Sequence, residues 1–98
     1  MNMQAMMKQA QKIQKEMQTE KKAIDEKRFV AENDVVRIEM MGNRNLVELE
    51  MKLSEVPEED KEMVEDMILV AFNQVMKEIE DETEQRLGKY TQGMSGMF

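Results

Sequence analysis

The chain of 98 residues contains neither cysteine nor histidine. These two absences exclude disulfides, thiolate nucleophiles, imidazole general bases and nearly all zinc sites. Tryptophan is also missing and aromatic residues make up only 4% of the chain, so a core or interface must use aliphatic side chains and the 13 methionines. Methionine packs adaptably, which suits helix seams and contact surfaces. We therefore expect no enzymatic activity, no cofactor and no bound metal.

Long apolar runs are also missing from the sequence. No stretch approaches the roughly 20 residues needed to cross a bilayer, and the N-terminus lacks the hydrophobic region of a signal peptide. The sequence thus predicts a cytoplasmic protein with no membrane partner and no small-molecule substrate. Its length is typical of one small domain, which we expect over residues 1–98.

The N-terminal segment has the pattern of an amphipathic helix. Residues 1–26 contain no glycine or proline, and the apolar residues of one face recur at spacings of three and four, broken only at Glu20. This pattern predicts a helix over 1–26 with a coiled-coil-like seam. The seam consists of Met3, Met6, Ala10, Ile13, Met17 and Ile24.

Residues 28–53 change to a period of two, which predicts three antiparallel strands, each exposed on one face. Asn33-Asp34 and the segment "GNRN", 42–45, supply the two turns. The only proline, Pro57, precedes three acidic residues and predicts the start of a second helix over 57–87, which Gly88 ends. Residues 88–98 are expected to form a flexible tail. The fold class is α+β.

The second predicted helix contains an unusual apolar segment, "MILVAF", at 67–72. A helix that lies on one sheet at the surface of a monomer does not need apolar residues on every side. The segment therefore predicts burial against both its own sheet and a partner subunit. The predicted interface residues are Met67, Ile68, Leu69, Ala71, Phe72 and Val75.

Charge is distributed unevenly along the chain. The formal net charge is -7, yet residues 1–15 hold Lys8, Lys12 and Lys15 without any acid, so they carry +3 and the remaining residues carry -10. On a helix these lysines and Lys22 form a stripe roughly 80° wide opposite the seam, and Lys8 lies about 10 Å from Lys15 along the axis.

A lysine stripe opposite an apolar seam is often only the solvated face of a helix. Here the absence of any acid through residue 15 favours a phosphate-binding surface, because a solvated helix usually mixes charges of both signs. The acidic runs 58–66 and 78–84 lack the glycine and the alternating spacing of an EF-hand loop. These runs are interpreted as solvated helix faces.

Three segments of the sequence together resemble one family. They are "MMKQAQKIQKEMQ" in the first helix, "VVRIEMMGNRNLVELEM" in the hairpin and "PEEDKEMVEDMILVAFNQVMKEIE" in the second helix, followed by a terminal "GMF". In this order they resemble the YbaB/EbfC family of bacterial nucleoid-associated proteins, over nearly the whole chain.

The resemblance implies a tweezer-shaped homodimer that binds double-stranded DNA, changes its conformation and influences nucleoid organisation and gene expression. It assigns DNA contact to the projecting helices, which in this sequence carry Lys8, Lys12, Lys15, Lys22 and Arg86. The alternative is an adaptor that binds another protein through the first helix and methionine-rich surfaces, without DNA. The two hypotheses differ in salt dependence, which is steep only for phosphate contacts.

Overall fold

A computed structural model of the chain describes residues 2–91. Helix α1 (Met3–Glu26) is followed by strands β1 (Arg28–Glu32), β2 (Val36–Met41) and β3 (Leu46–Met51), a 3-10 turn at Glu58–Asp60 and helix α2 (Lys61–Thr91). The sheet is antiparallel, with β2 in the middle. This confirms the predicted α+β class and the order of its elements. The molecule is elongated, with extents of 71 × 23 × 14 Å.

The core lies between α2 and one face of β1 and β2. Alternate residues of β2 point into it, so Val36, Ile38 and Met40 are buried while the residues between them are half-exposed. One stripe of α2 covers these side chains and buries Val64, Ala71, Val75 and Ile79. The alternate residues of β2 and the residues on one face of α2 thus form one apolar layer.

Strand β3 does not follow the expected pattern of one buried and one exposed face. Leu49 and Met51 pair with the buried Ile38 and Val36 and so lie on the core side of the sheet. They are nevertheless 44% and 38% exposed, because α2 packs on β1 and β2 rather than on β3. The expectation of one buried face per strand is wrong for β3 within a single subunit.

The turn between β2 and β3 packs against the end of α1. The Gly42 N–H donates to the Lys27 carbonyl at 2.9 Å, and the Asn43 N–H donates to the Asp25 carbonyl at 3.3 Å. A Cβ atom at Gly42 would lie 1.8 Å from the Ile24 carbonyl oxygen, so only glycine allows this approach. The turn therefore fixes the direction in which α1 leaves the sheet.

The turn between β1 and β2 depends on one asparagine, as the sequence predicts. The Asn33 Oδ1 accepts hydrogen bonds from the backbone N–H groups of Val35 and Val36, at 2.9 and 3.1 Å. Its Nδ2 donates to the Met67 carbonyl at 2.9 Å. Asn33 thus closes the turn and also ties it to α2.

Helix α2 continues through Gly88 to Thr91, so the prediction that the helix ends at Gly88 is wrong. Glycine costs only about 1 kcal/mol relative to alanine inside a helix. Contacts with α1 on both sides of Gly88 offset this cost: Arg86 pairs with Glu20, and Tyr90 lies beside Met17. The predicted tail is therefore helical over 88–91, and its remaining residues, 92–98, lie outside the described ones.

Replacing Gly88 by alanine is expected to stabilise the protein. No heavy atom outside the local helix lies within 4 Å of the position that the new Cβ would take, so the substitution adds helix propensity without a clash. The free energy of unfolding should rise by up to about 1 kcal/mol. Urea denaturation of both proteins at equal concentration measures the difference. A lower free energy of unfolding in Gly88→Ala would contradict the helical assignment.

The face of the sheet opposite the core carries ion pairs. The Arg28 guanidinium donates to Glu39 at 2.7 Å, and the Lys52 ammonium donates to Glu32 at 2.6 Å. The hydrogen bond from Arg28 lowers the pKa of Glu39 below 4.5, and the hydrogen bond from Lys52 lowers the pKa of Glu32 in the same way.

These pKa shifts predict that stability falls in acid. The two carboxylates have a lower pKa in the folded protein than in the unfolded chain, so the unfolded chain binds more protons as the pH falls below about 4.5. The free energy of unfolding should therefore decrease from that pH downwards through the folded-state pKa values. Urea denaturation at a series of pH values tests this. In Glu39→Gln the free energy of unfolding should depend less on pH than in the parent. An identical pH profile would show that Glu39 does not contribute to the loss of stability in acid.

Candidate nucleic-acid interface

The N-terminal helix that carries the predicted lysines begins with a side-chain cap. The Asn2 Oδ1 accepts a hydrogen bond from the Gln4 N–H at 2.9 Å, and the Asn2 carbonyl accepts one from the Met6 N–H at 3.2 Å. The first turn of α1 contains no acidic residue. The N-terminus of α1 is therefore capped by a neutral side chain, and no negative charge lies in the turn that precedes the lysines.

The predicted lysines of α1 are exposed and uncompensated. Lys8, Lys12, Lys15 and Lys22 all project into solvent, and within residues 2–91 none of them forms an ion pair. Their neighbour Lys21 differs, because its ammonium group lies 3.0 Å from the Asp25 carboxylate. Four positive charges along one helix thus remain available for an anionic ligand.

Arg86, the fifth predicted DNA-binding residue, occupies a different environment. It is half-buried, with its guanidinium 3.4 Å from Glu20 of α1 and 3.2 Å from Glu82 of α2. Glu82 also pairs with Lys27, at the end of α1. Arg86 therefore joins the two helices through ion pairs, and its charge is already compensated by protein carboxylates.

Two further exposed cations were not identified in the sequence as binding residues. Lys89 and Arg44 form no ion pair within the described part of the chain. Arg44 sits in the β2–β3 turn with a φ of 72°, a left-handed conformation that is uncommon for arginine. Lys89 directly follows Gly88. Because the sequence predicted that the helix ends at Gly88, it assigned Lys89 to the flexible tail. A helical pattern continued through Gly88 would have placed it on α2.

The two helices run antiparallel, which separates the lysines from the most acidic segment. Ile13 lies beside Tyr90, so the N-terminal half of α1 faces the C-terminal end of α2. Residues 55–66, with seven acids and one lysine, lie at the other end of α2. From Asp66 to Lys89 the helix rises about 35 Å, which is several Debye lengths at physiological salt. The charge of segment 55–66 therefore acts only weakly at the lysine surface.

The chain also matches the model of a known protein family. The sequence model of the YbaB/EbfC DNA-binding family matches residues 1–94. The chain belongs to this family. It is not an enzyme family, in agreement with the sequence-based expectation.

Several relatives cover the chain almost completely. A nucleoid-associated protein of Enterococcus faecalis is 45% identical over 97 residues, which span 97% of this chain and 93% of the relative. A nucleoid-associated protein of Lactococcus lactis subsp. lactis is 45% identical over 96% of this chain and 97% of its own length. One from Clostridium kluyveri is 38% identical over 99% of this chain and 89% of its own length. The resemblance noted in the sequence is thus confirmed.

In this YbaB/EbfC protein the predicted interface residues fall into two groups. Ala71 and Val75 are fully buried in the subunit's own core, and Met67 and Ile68 pack against that core at partial exposure. Leu69 and Phe72 instead remain 58% and 38% exposed, as does the neighbouring Val70. Of the predicted set, only the second group offers an apolar surface that a partner subunit can cover.

The seam of α1 is also only partly covered in this member of the family. Ile24 is buried against the β2–β3 turn and Met17 is half-buried beside α2, whereas Met6 and Ile13 are exposed and Met3 is 75% exposed. The first turn of α1, with Met3 and Met6, is therefore left uncovered by the rest of the described chain. Neither helix, over residues 2–91, combines the length and the apolar content required to span a membrane.

Proposed function

We propose that this protein binds double-stranded DNA as a homodimer with little sequence specificity, and that binding alters the conformation of the DNA. The observation that carries this proposal is the set of four exposed, uncompensated lysines on α1. Its site of action is the cytoplasmic nucleoid, in keeping with its similarity to nucleoid-associated proteins. The expected consequence is a change in nucleoid organisation and gene expression.

Low sequence specificity follows from the type of side chain. Lysine presents a flexible point charge, whereas base edges are read best by planar, bidentate groups such as the arginine guanidinium. Lys8, Lys12 and Lys15 lie on successive turns of one helix, a spacing that follows a phosphate backbone. Any preference among DNA sequences should therefore arise from DNA shape and deformability.

Two uncovered apolar surfaces support a homodimer. The first consists of Leu69, Val70 and Phe72 on α2, and the second of Leu46, Leu49 and Met51 on β3. A chain this short gains stability when such surfaces are buried against a second copy. A dimer also doubles the number of lysines that can engage one duplex, from three to six for Lys8, Lys12 and Lys15.

The salt dependence of binding tests the proposal. Fluorescence anisotropy with two unrelated duplexes of equal length should give similar affinities for both. Between about 50 and 200 mM salt, log K should fall against log salt with a slope between about -2 and -5, since up to about six phosphates are neutralised. A slope near zero, or no binding at the lowest salt, would overturn the proposal. Energy transfer between dyes at the duplex ends measures the change in DNA conformation.

A second candidate function is that of a protein adaptor. The exposed methionines near the start of α1, Met3, Met6 and Met7, favour it, because adaptable apolar side chains suit protein contacts. An apolar protein contact responds little to added salt, whereas a phosphate contact weakens steeply. Loss of DNA binding together with retained, salt-insensitive capture of a protein partner would favour the adaptor.

A further inference from the structure

An open cleft of about 570 Å³ lies between α1 and the C-terminal end of α2. It brings together charged side chains that are far apart in the sequence. The residues that line it are Lys12, Lys15, Glu16, Thr19 and Glu20 from α1, and Lys89 and Tyr90 from α2. The cleft thus extends the lysine surface of α1 onto the second helix.

Lys89 is the available cation at this end of α2. Arg86, one turn earlier, is held by Glu20 and Glu82, and Lys77 is held by Asp81 at 3.0 Å. The Lys89 ammonium forms no ion pair among residues 2–91 and lies 5.0 Å from the centre of the Tyr90 ring. This cation–π contact keeps the ammonium group beside the cleft without neutralising its charge.

The balance of uncompensated charge in the cleft favours an anion. The carboxylate of Glu20 is already paired with Arg86, at 3.4 Å. Glu16 is the other lining acid, and within the described residues it forms no ion pair. Three ammonium groups, from Lys12, Lys15 and Lys89, therefore face one uncompensated carboxylate.

The hydroxyl group in the cleft is already committed. Thr19 Oγ1 donates its hydrogen to the Lys15 carbonyl at 3.0 Å. The lysine ammonium groups are therefore the strong donors that remain for a phosphate oxygen. Because they come from two helices, they can approach one phosphate from two sides.

We propose that this cleft binds a phosphate of the DNA backbone through Lys12, Lys15 and Lys89, and that Glu16 limits the affinity. This inference rests on the proposed function and names the residues that hold the phosphate between the two helices. It assigns to Lys89 the phosphate contact that the family resemblance implied for Arg86. DNA is thus held where α1 meets α2, at the end of the molecule remote from the acidic segment 55–66.

Two single substitutions with opposite expected effects test the inference in the full chain. Lys89→Gln should lower DNA affinity by about tenfold or more at about 0.1 M salt, and should make the salt slope less negative by about 2 per dimer, since each lost contact releases about 0.9 fewer counterions. Glu16→Gln should raise the affinity, because it removes the uncompensated carboxylate. Lys77→Gln is the matched control, since its ammonium is exposed on the same helix but paired.

Two controls show whether an effect of Lys89→Gln comes from the lost charge or from a changed helix. Circular dichroism checks that the variants keep the helix content of the parent. Lys89→Arg keeps the positive charge and should retain most of the affinity and the parent salt slope. Unchanged affinity and slope in Lys89→Gln, together with unchanged affinity in Glu16→Gln, would overturn this inference while leaving DNA binding by α1 intact. Absence of DNA binding by the parent protein at low salt would instead remove the proposed function itself.

Discussion

Replacing Lys8, Lys12 and Lys15 together by glutamate is expected to abolish DNA binding while leaving the fold unchanged. All three side chains are exposed on α1 and form no ion pair within residues 2–91, so their loss costs little stability. In a dimer the substitution replaces up to six phosphate contacts by six repulsive charges. The affinity should fall by several orders of magnitude at low salt. Anisotropy with labelled duplex DNA measures the loss, and circular dichroism checks the fold.

A matched control separates the position of the charges from their number. Lys21, Lys61 and Lys77 are exposed lysines that pair with nearby acids at 3.0, 2.7 and 3.0 Å. Their joint replacement by glutamate changes the net charge by the same amount but leaves the lysine surface of α1 intact. This control should lose far less affinity. Equal losses of affinity in both variants would indicate a general charge effect. Full DNA binding by the variant with glutamate at positions 8, 12 and 15 would show that these lysines are only the solvated face of the helix.

Replacing Leu69 by glutamate is expected to dissociate the proposed homodimer. Leu69 is 58% exposed in the subunit, so the new carboxylate can remain hydrated in a folded monomer. At the dimer interface the same carboxylate would be buried without a partner, at a cost of several kcal/mol. The dimer dissociation constant should therefore rise by about 100-fold or more. Analytical ultracentrifugation over a range of concentrations measures it.

Val75→Glu is the contrasting variant, on the same helix and in the apolar core. Val75 is fully buried within the subunit, so this substitution should unfold the chain rather than yield a folded monomer. Leu49→Lys on β3 tests the second uncovered surface by the same measurement. Dimers of parent stability in both Leu69→Glu and Leu49→Lys would rule out these surfaces as the interface, and a parent that is monomeric at all concentrations would remove the homodimer.

The turns show how far local sequence rules extend. Asn33 was recognised as a turn residue from its type alone, and its side chain closes the β1–β2 turn as expected. The hydrogen bond from Asn33 to the Met67 carbonyl was not predictable, because it joins residues 34 positions apart. In the same way, the sequence marked Gly42 as a turn residue but not as the contact point for α1.

The binding surface shows a similar division. The lysine stripe of α1 followed from helical periodicity and charge, and the structure places its members as expected. Arg86 and Lys89 lie one turn apart on α2, yet one is paired and the other is not. Only the packing of α2 on α1 decides this, because Glu20 approaches Arg86 from the other helix. DNA contact by any of these residues remains a prediction.

By itself the sequence determined the α+β class, the order of the elements, the family and the separation of charge along the chain, because periodicity, turn chemistry and composition are local properties. The tertiary structure decided which apolar residues the subunit buries. It placed Ala71 and Val75 in the core and left Leu69 exposed, although all three lie within seven residues of one helix. It also carried α2 through Gly88. Both outcomes depend on which face of α2 meets the sheet and α1, and this is set by contacts between residues distant in the sequence.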